Sequence, residues 1–344
     1  MACIICADTR KEALTVLEMH YGTANLYQYE LCATCHTLQL TTIPSAEVLA
    51  RLYPSESYWS DPESSRTAMQ SLQKALFSFL AGVTNSPSLR ATASGLRPRT
   101  LCNALSYGIR PGDRVLDVGC GAGHFVKGLG NLGLVEPQGV DPFIPGNIVF
   151  DNGAKVSLGR PSDLPASHFD VVTYHHSLEH MPDPIGALRE GASRLKLGGR
   201  CIVRVPTTDS YAFRFYRELW VQLDAPRHLV IPSRKAMRAA GEMAGLELEC
   251  VIDDSTMLQF WGSELYRKGI SYRDASGNVV DPAAYFSRSQ LRAFSRKARR
   301  LNRDGEGDQA IFSFRKAREG ASFVIQPEIR QGLARLPLGS AKLP

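Results

Sequence analysis

Hydrophobic and polar positions along this chain form short apolar runs separated by longer amphipathic stretches. Behind Pro44, "SAEVLARLY" places Val48, Leu49 and Leu52 at helical spacing after a serine cap, and further helices are expected over 63–82 and 96–107. From "GDRVLDVGCGAG" onward, runs of strand length recur near 114–118, 136–140, 148–150, 169–174, 200–205, 247–252 and 310–315. Helical patterns lie between most of them, for example at 122–132, 184–196 and 234–244. Strands alternating with helices predict an α/β fold with a doubly wound, mainly parallel, seven-stranded sheet. Earlier, "LTVLEMHYGTANLYQYELC" reads as a β-hairpin turning at Gly22-Thr23. The pattern therefore divides into a small module over 1–43, a helical linker or cap over 44–110, and a main domain over 111–316. That main domain carries an insertion at about 253–309, and 317–344 is an aperiodic tail.

Cysteine spacing changes the picture of the small module. Four of the eight cysteines form two C-x-x-C pairs, Cys3/Cys6 and Cys32/Cys35. Each pair can turn two thiolates onto one tetrahedral ion, so the expectation is a structural Zn²⁺ held by Cys3, Cys6, Cys32 and Cys35. Cys102, Cys120, Cys201 and Cys250 stand singly near apolar segments and read as small buried hydrophobes. No apolar run reaches transmembrane length, and "MACIICADTRKE" does not open like a signal peptide. The expectation is a cytoplasmic protein without membrane insertion; the pattern sets no oligomeric state.

Charge adds one feature. The formal net charge is +6, with much of the surplus in "SRSQLRAFSRKARRLNRDGEGD". Leu291, Phe294, Ala298 and Leu301 recur there at helical spacing, so this is a basic amphipathic helix. It is either a solvated helix packed on the sheet edge or a grip on a diphosphate.

The chemistry concentrates in "RVLDVGCGAGHF", a strand running into a glycine-rich turn with Asp117 just ahead of it. A phosphate-binding P-loop needs a Lys-Ser/Thr pair after its last glycine, and here His124-Phe125-Val126 follow Gly123. A dinucleotide fingerprint would need its third glycine at 124 or 126, where His124 and Val126 stand. What remains is D-x-G-x-G-x-G through Asp117, Gly119, Gly121 and Gly123. Such a loop admits the amino-acid tail of S-adenosylmethionine against bare backbone, beside a carboxylate that receives its ammonium. Asp141 ends the next strand, where a carboxylate can accept both ribose hydroxyls.

With these residues in view, residues 113 to about 205 resemble a class I S-adenosylmethionine-dependent methyltransferase. "VLDVGCGAG" matches the first motif of that family, "GVDP" the acidic second, and "LPASHFDVVTYHHSLEHMPDP" the fourth-strand motif. "LREGASRLKLGGRCIVRVP" is similar to the helix, turn and fifth strand that follow. The resemblance implies Asp117, Gly119, Gly121, Gly123 and Asp141 as cofactor contacts, with Asp163 and Leu164 beside the adenine. The double C-x-x-C module and the later "WVQLDAPRHLVIPS" extend the likeness, over most of 1–315, to bacterial methyltransferases of sugar and surface-polysaccharide pathways. That implies an O-methyltransferase acting on a sugar hydroxyl of a nucleotide-linked or polysaccharide acceptor. Strand ends face the ligand crevice in such sheets, so Tyr174 and His175, with Arg227, are expected at the acceptor. His228 is the candidate base and His176 the reserve. In "QFWGSELYRKGISY", Trp261 and Tyr266 are expected either to stack on a sugar or to belong to the core.

Two other readings keep the same motifs. One is an RNA methyltransferase whose zinc module and basic helix hold phosphates; "YHHSLEH" stands where base-amine methylation would need an aromatic-proline motif, which argues against nucleic acid. The other is a non-catalytic binding protein on a methyltransferase scaffold.

Overall fold

The computed structural model describes residues 2–45, 48, 75–79, 99–134 and 137–316. Two sheets organise them. The first opens with the expected hairpin, β1 (Lys11–Leu17) paired antiparallel with β2 (Leu26–Cys32), followed by β3 (Leu38–Leu40). The second holds eight strands rather than seven. In chain order these are β4 (Val115–Val118), β5 (Gln138–Asp141), β6 (Ile148–Val149), β7 (Lys155–Leu158), β8 (Phe169–His175) and β9 (Leu195–Pro206). After β10 (Val230–Ile231) come β11 (Leu246–Asp253) and β12 (Gln309–Lys316). The spatial order is β11-β12-β9-β8-β4-β5-β7-β6. From β9 to β7 all neighbours are parallel, whereas β12 runs against both β9 and β11, and β6 against β7. Of these eight, the strand absent from the sequence reading is β7; in the first sheet β3 and β10 are absent from it as well. Only Val156 of the four residues in β7 is buried, too little alternation to mark a strand.

The central strands are buried on both faces, which is why β4 reads as an uninterrupted "VLDV". Successive residues point to opposite layers. Val115, Val171, Ile202 and Ile311 pack with Leu101, Leu105, Phe125 and Leu129. Those partners come from α1 (Arg99–Ser106) and α2 (His124–Asn131). Leu116, Val172, Val203 and Phe312 face the other way, onto Leu188 and Met237. Those belong to α3 (Pro184–Arg194) and, after α4 (Tyr211–Tyr216), to α5 (Arg234–Met243). The start of α3 follows from its sequence: Asp183 accepts from Gly186 N at 2.8 Å, and Pro184 occupies the first turn.

β10 belongs to the first sheet. It pairs antiparallel with β3, Val230 opposite Gln39 and Ile231 opposite Leu38. The small module is thereby completed by a strand from the main domain, in a segment of two residues that carries no periodicity. The expected insertion folds as α6 (Leu258–Arg267) and the basic helix α7 (Arg288–Asp304). Trp261 and Tyr266 are buried in its core, Trp261 stacked on Tyr272 at 5.4 Å. Of the expectations between 44 and 98, residues 75–79 are helical and most of the rest lies outside the described residues, as does the tail 317–344.

Candidate active site

The site is built on the carboxyl ends of β4, β5 and β8. β4 delivers Asp117, 3% exposed, whose Oδ1 accepts from Thr173 Oγ1 at 2.6 Å. Burial, with the neighbouring Asp141 carboxylate adding to it against the Thr173 hydrogen bond, pushes Asp117 up to about 7. The chain then turns through Gly119, whose φ of +69° lies in the left-handed region that favours glycine and where a Cβ would stand 2.7 Å from Ser177 Cβ. Ser177 in turn donates to Val118 O at 2.6 Å, so loop and β8 exit are pressed together. Gly121 and Gly123 continue the left-handed turn into α2.

Asp141, at the end of β5, is 7% exposed. Its Oδ2 accepts from Gly121 N at 2.9 Å and its Oδ1 from Phe143 N at 2.8 Å. Each carboxylate oxygen keeps a further lone pair, and the loop is tied to the acidic residue before any ligand arrives. Phe143, missed in the sequence, stands 85% exposed immediately beside it. The signal was available: an aromatic two residues past an acidic strand end. Asp163 is exposed and accepts from Arg160 N at 2.8 Å, and Leu164 is half-buried against the core.

The residues at the end of β8 separate into different environments. Tyr174 is fully buried, and its hydroxyl donates to Ala187 O in α3, so it faces the core rather than the crevice. His175 stacks on Phe125 at 4.8 Å. Arg204 reaches His175 Nε2 at 3.4 Å, and Tyr107 OH sits on Nδ1; burial and the guanidinium hold this imidazole well below its usual pKa. His176 adopts φ +57°, an uncommon left-handed backbone for a non-glycine residue, and its side chain is 33% exposed. Its Nδ1 lies 3.4 Å from Glu179 Oε1, which leaves Nε2 as the basic nitrogen. Burial and then Arg204 lower the His176 pKa, with Glu179 pulling the other way, so the ring is neutral at pH 7.

Behind His176 lies a buried polar cluster. Glu179 is 1% exposed. Burial opposes its ionisation, but the His176 hydrogen bond and the surrounding imidazoles hold it down to about 2. His228, its side chain 7% exposed, bonds Gln222 O through Nδ1 at 2.7 Å. Its Nε2 stands 3.7 Å from Asp224 Oδ2 and 4.0 Å from Glu179 Oε1. Arg227 is committed to Asp224 and to His20, so it too is structural in this arrangement. Burial pushes His20 down to about 3. The small module reaches this cluster directly: Tyr29 OH donates to His228 O at 2.9 Å.

In that module the four expected ligands converge. Cys3 Sγ lies 3.5 Å from Cys35 Sγ and Cys6 Sγ 3.4 Å from Cys32 Sγ, and all four sulfurs fall within 4.8 Å of one another. Sulfurs about 2.3 Å from a tetrahedral Zn²⁺ would be roughly 3.8 Å apart, so the donor set fits that ion.

Residues 89–251 match the family described as a methyltransferase domain. The chain is 34% identical over 117 residues to a ubiquinone biosynthesis O-methyltransferase of Marinobacter nauticus, covering 30% of this chain and 48% of that protein. A protein of the same name from Xanthomonas campestris pv. campestris is 35% identical over 99 residues, 26% of this chain and 41% of its own. The chain thus spans about half the length of the curated relatives it matches, or less. Among solved structures, an S-adenosylmethionine-dependent methyltransferase from Archaeoglobus fulgidus aligns at TM-score 0.40 and 19% identity, covering 70% of this chain and 99% of that one. The glycine loop and the two strand-end carboxylates lie within the segment 89–251 that matches the methyltransferase-domain family.

Proposed function

We propose that the protein transfers a methyl group from S-adenosylmethionine to a hydroxyl oxygen, and that the acceptor is a sugar, nucleotide-linked or within a polysaccharide. The observation carrying the reading is the adjacency of two unlike sites. An acidic, glycine-lined cradle at β4 and β5 suits an ammonium and a ribose, and His176 with its carboxylate partner follows at β8. Asp117 receives the ammonium, Asp141 the ribose hydroxyls through its remaining lone pairs, and the Phe143 ring covers an adenine face; Asp163 and Leu164 stand at the adenine edge.

The acceptor oxygen attacks the sulfonium methyl in line, the S–CH₃ bond breaks as the O–CH₃ bond forms, and the hydroxyl proton passes to a base. Between the two candidate bases, accessibility favours His176, with Glu179 fixing its tautomer, over the deeply buried His228. His228 and Arg227 then shape the wall behind it. Zn²⁺ bound by Cys3, Cys6, Cys32 and Cys35 would supply structural bracing to the module whose Tyr29 holds the His228 backbone. Support for a sugar acceptor comes from the motif resemblance over residues 1–315; the relatives named for ubiquinone biosynthesis support the oxygen acceptor alone.

The test is transfer of labelled methyl from S-adenosylmethionine to a panel of nucleotide sugars, glycans, phenols and RNA. Label should appear on a sugar oxygen, and His176→Gln should lower that turnover by about 10²–10⁴-fold. Label only on RNA or on a phenol would overturn the acceptor assignment while leaving the methyltransferase in place.

A further inference from the structure

Glu179 is a buried carboxylate whose Oε2 accepts no hydrogen bond among the described residues. A buried charge is ordinarily paired or bound to a metal ion. The neighbouring guanidinium groups are committed elsewhere, Arg227 to Asp224 and Arg204 to Asp254 at 2.7 Å. Imidazoles surround Glu179 instead.

The rings of His180 and His228 are set up alike. His180 Nδ1 lies 2.8 Å from Arg227 O, and His228 Nδ1 2.7 Å from Gln222 O. A carbonyl oxygen only accepts, so each Nδ1 carries the hydrogen, and in the neutral ring the lone pair is left on Nε2. A backbone carbonyl holding Nδ1–H is the outer arrangement of metal-bound histidine, and His228 Nε2 faces Glu179 Oε1 at 4.0 Å. The rings meet edge-on, centroids 4.8 Å apart, and one donor atom from each of Glu179, His180 and His228 lies within 4.8 Å of the others. His228 Nε2 also stands between two carboxylates, Glu179 and Asp224, a position that calls for a cation.

We infer that Glu179, His180 and His228 form a second divalent-metal site, separate from the four-cysteine cluster. Two imidazole nitrogens and a carboxylate oxygen form a borderline donor set that takes Zn²⁺ or another first-row divalent ion. Three protein ligands leave a tetrahedral ion one open position, as in catalytic rather than structural zinc sites. The inference stands on these donors and does not depend on the acceptor proposed above. A proton on His228 Nε2 is the competing occupant of the same place, and metal content separates the two.

The full-length protein, saturated with Zn²⁺ and freed of excess ion, would be measured by elemental analysis and X-ray absorption. About two zinc per chain are expected, with a nitrogen/oxygen shell at about 2.0–2.1 Å beside the sulfur shell at about 2.3 Å. The Glu179→Gln/His228→Gln double variant should retain about one zinc with sulfur scattering alone, and Cys32→Ser should keep the nitrogen/oxygen shell. Wild-type protein that saturates at about one zinc with only sulfur neighbours would overturn the inference, whatever the variants do. So would a nitrogen/oxygen shell that survives in the double variant.

Discussion

Asp117 shows how a single side chain can make cofactor affinity depend on pH. Its carboxyl is pushed up to about 7 chiefly by burial, with Asp141 adding to the effect. The native state therefore keeps a proton that the unfolded chain releases near the ordinary value of 3.8, and ligand-free stability falls as pH rises between the two. Cofactor binding has the opposite sign. An incoming ammonium favours the ionised carboxylate, so below about 7 a proton must leave for each ligand bound. Calorimetry should show S-adenosylmethionine affinity weakening by up to about tenfold per pH unit as pH falls below about 7, and levelling off above it. Asp117→Asn should bind weakly and without that slope. A wild-type affinity that stays flat from pH 5.5 to 8 would mean that Asp117 does not ionise on binding.

At the scale of elements, the glycine loop works because it joins β4 to α2 while pressed against the exit of β8. Gly119→Ala would force a left-handed backbone on a residue with a Cβ, costing roughly 1–2 kcal/mol, and would push that Cβ against Ser177. Ser177 cannot yield without losing its bond to Val118 O. Denaturant unfolding should show the loss of stability, and cofactor affinity should fall at least about tenfold as the cradle opens. Undiminished affinity would place the ligand away from this turn.

The same elements show what the sequence could reveal. The main-sheet strands from β4 to β9 other than β7, and the helices α2, α3 and α5, were legible because a parallel sheet buried on both faces leaves apolar runs separated by amphipathic helices. β7 was missed for want of alternation, and β10 because two residues in a loop acquire strand geometry only from the distant β3 that they join. The glycine turn and the strand-end carboxylates were legible because both are local in sequence. The surroundings of the β8 residues and of Arg227 were not. Whether Tyr174 faced the core or the crevice depended on which side of β8 it occupied. Whether Arg227 was available depended on Asp224 and His20, the latter 207 residues away in sequence.

For the molecule as a whole, the small module completes the site wall rather than standing apart. β10 crosses into the first sheet, Ser233 Oγ donates to Cys35 O at 2.6 Å, and Tyr29 holds His228 O. Cys35 is one of the four converging thiols, so an ion at that cluster would fix the loop that Ser233 and β3 both use. Cys32→Ser should therefore lower the melting temperature, as ordinary losses of structural zinc do. It should also lower methyl-transfer turnover when assayed well below that temperature. Affinity for S-adenosylmethionine should change little, because Asp117 and Asp141 lie on β4 and β5 with Gly119 in the turn after β4, and the two carboxylates bond Thr173, Gly121 and Phe143 of the main domain. Tyr29→Phe isolates the mechanical link. It removes one hydrogen bond, about 1 kcal/mol, without touching any thiol, and should reduce turnover several-fold at nearly unchanged cofactor affinity. Turnover equal to wild type in both variants would leave the module with a role in stability alone. A fall in cofactor affinity matching the fall in turnover would instead mean that the disturbance spreads through the main sheet, and the wall at His228 would lose its claim to be the route.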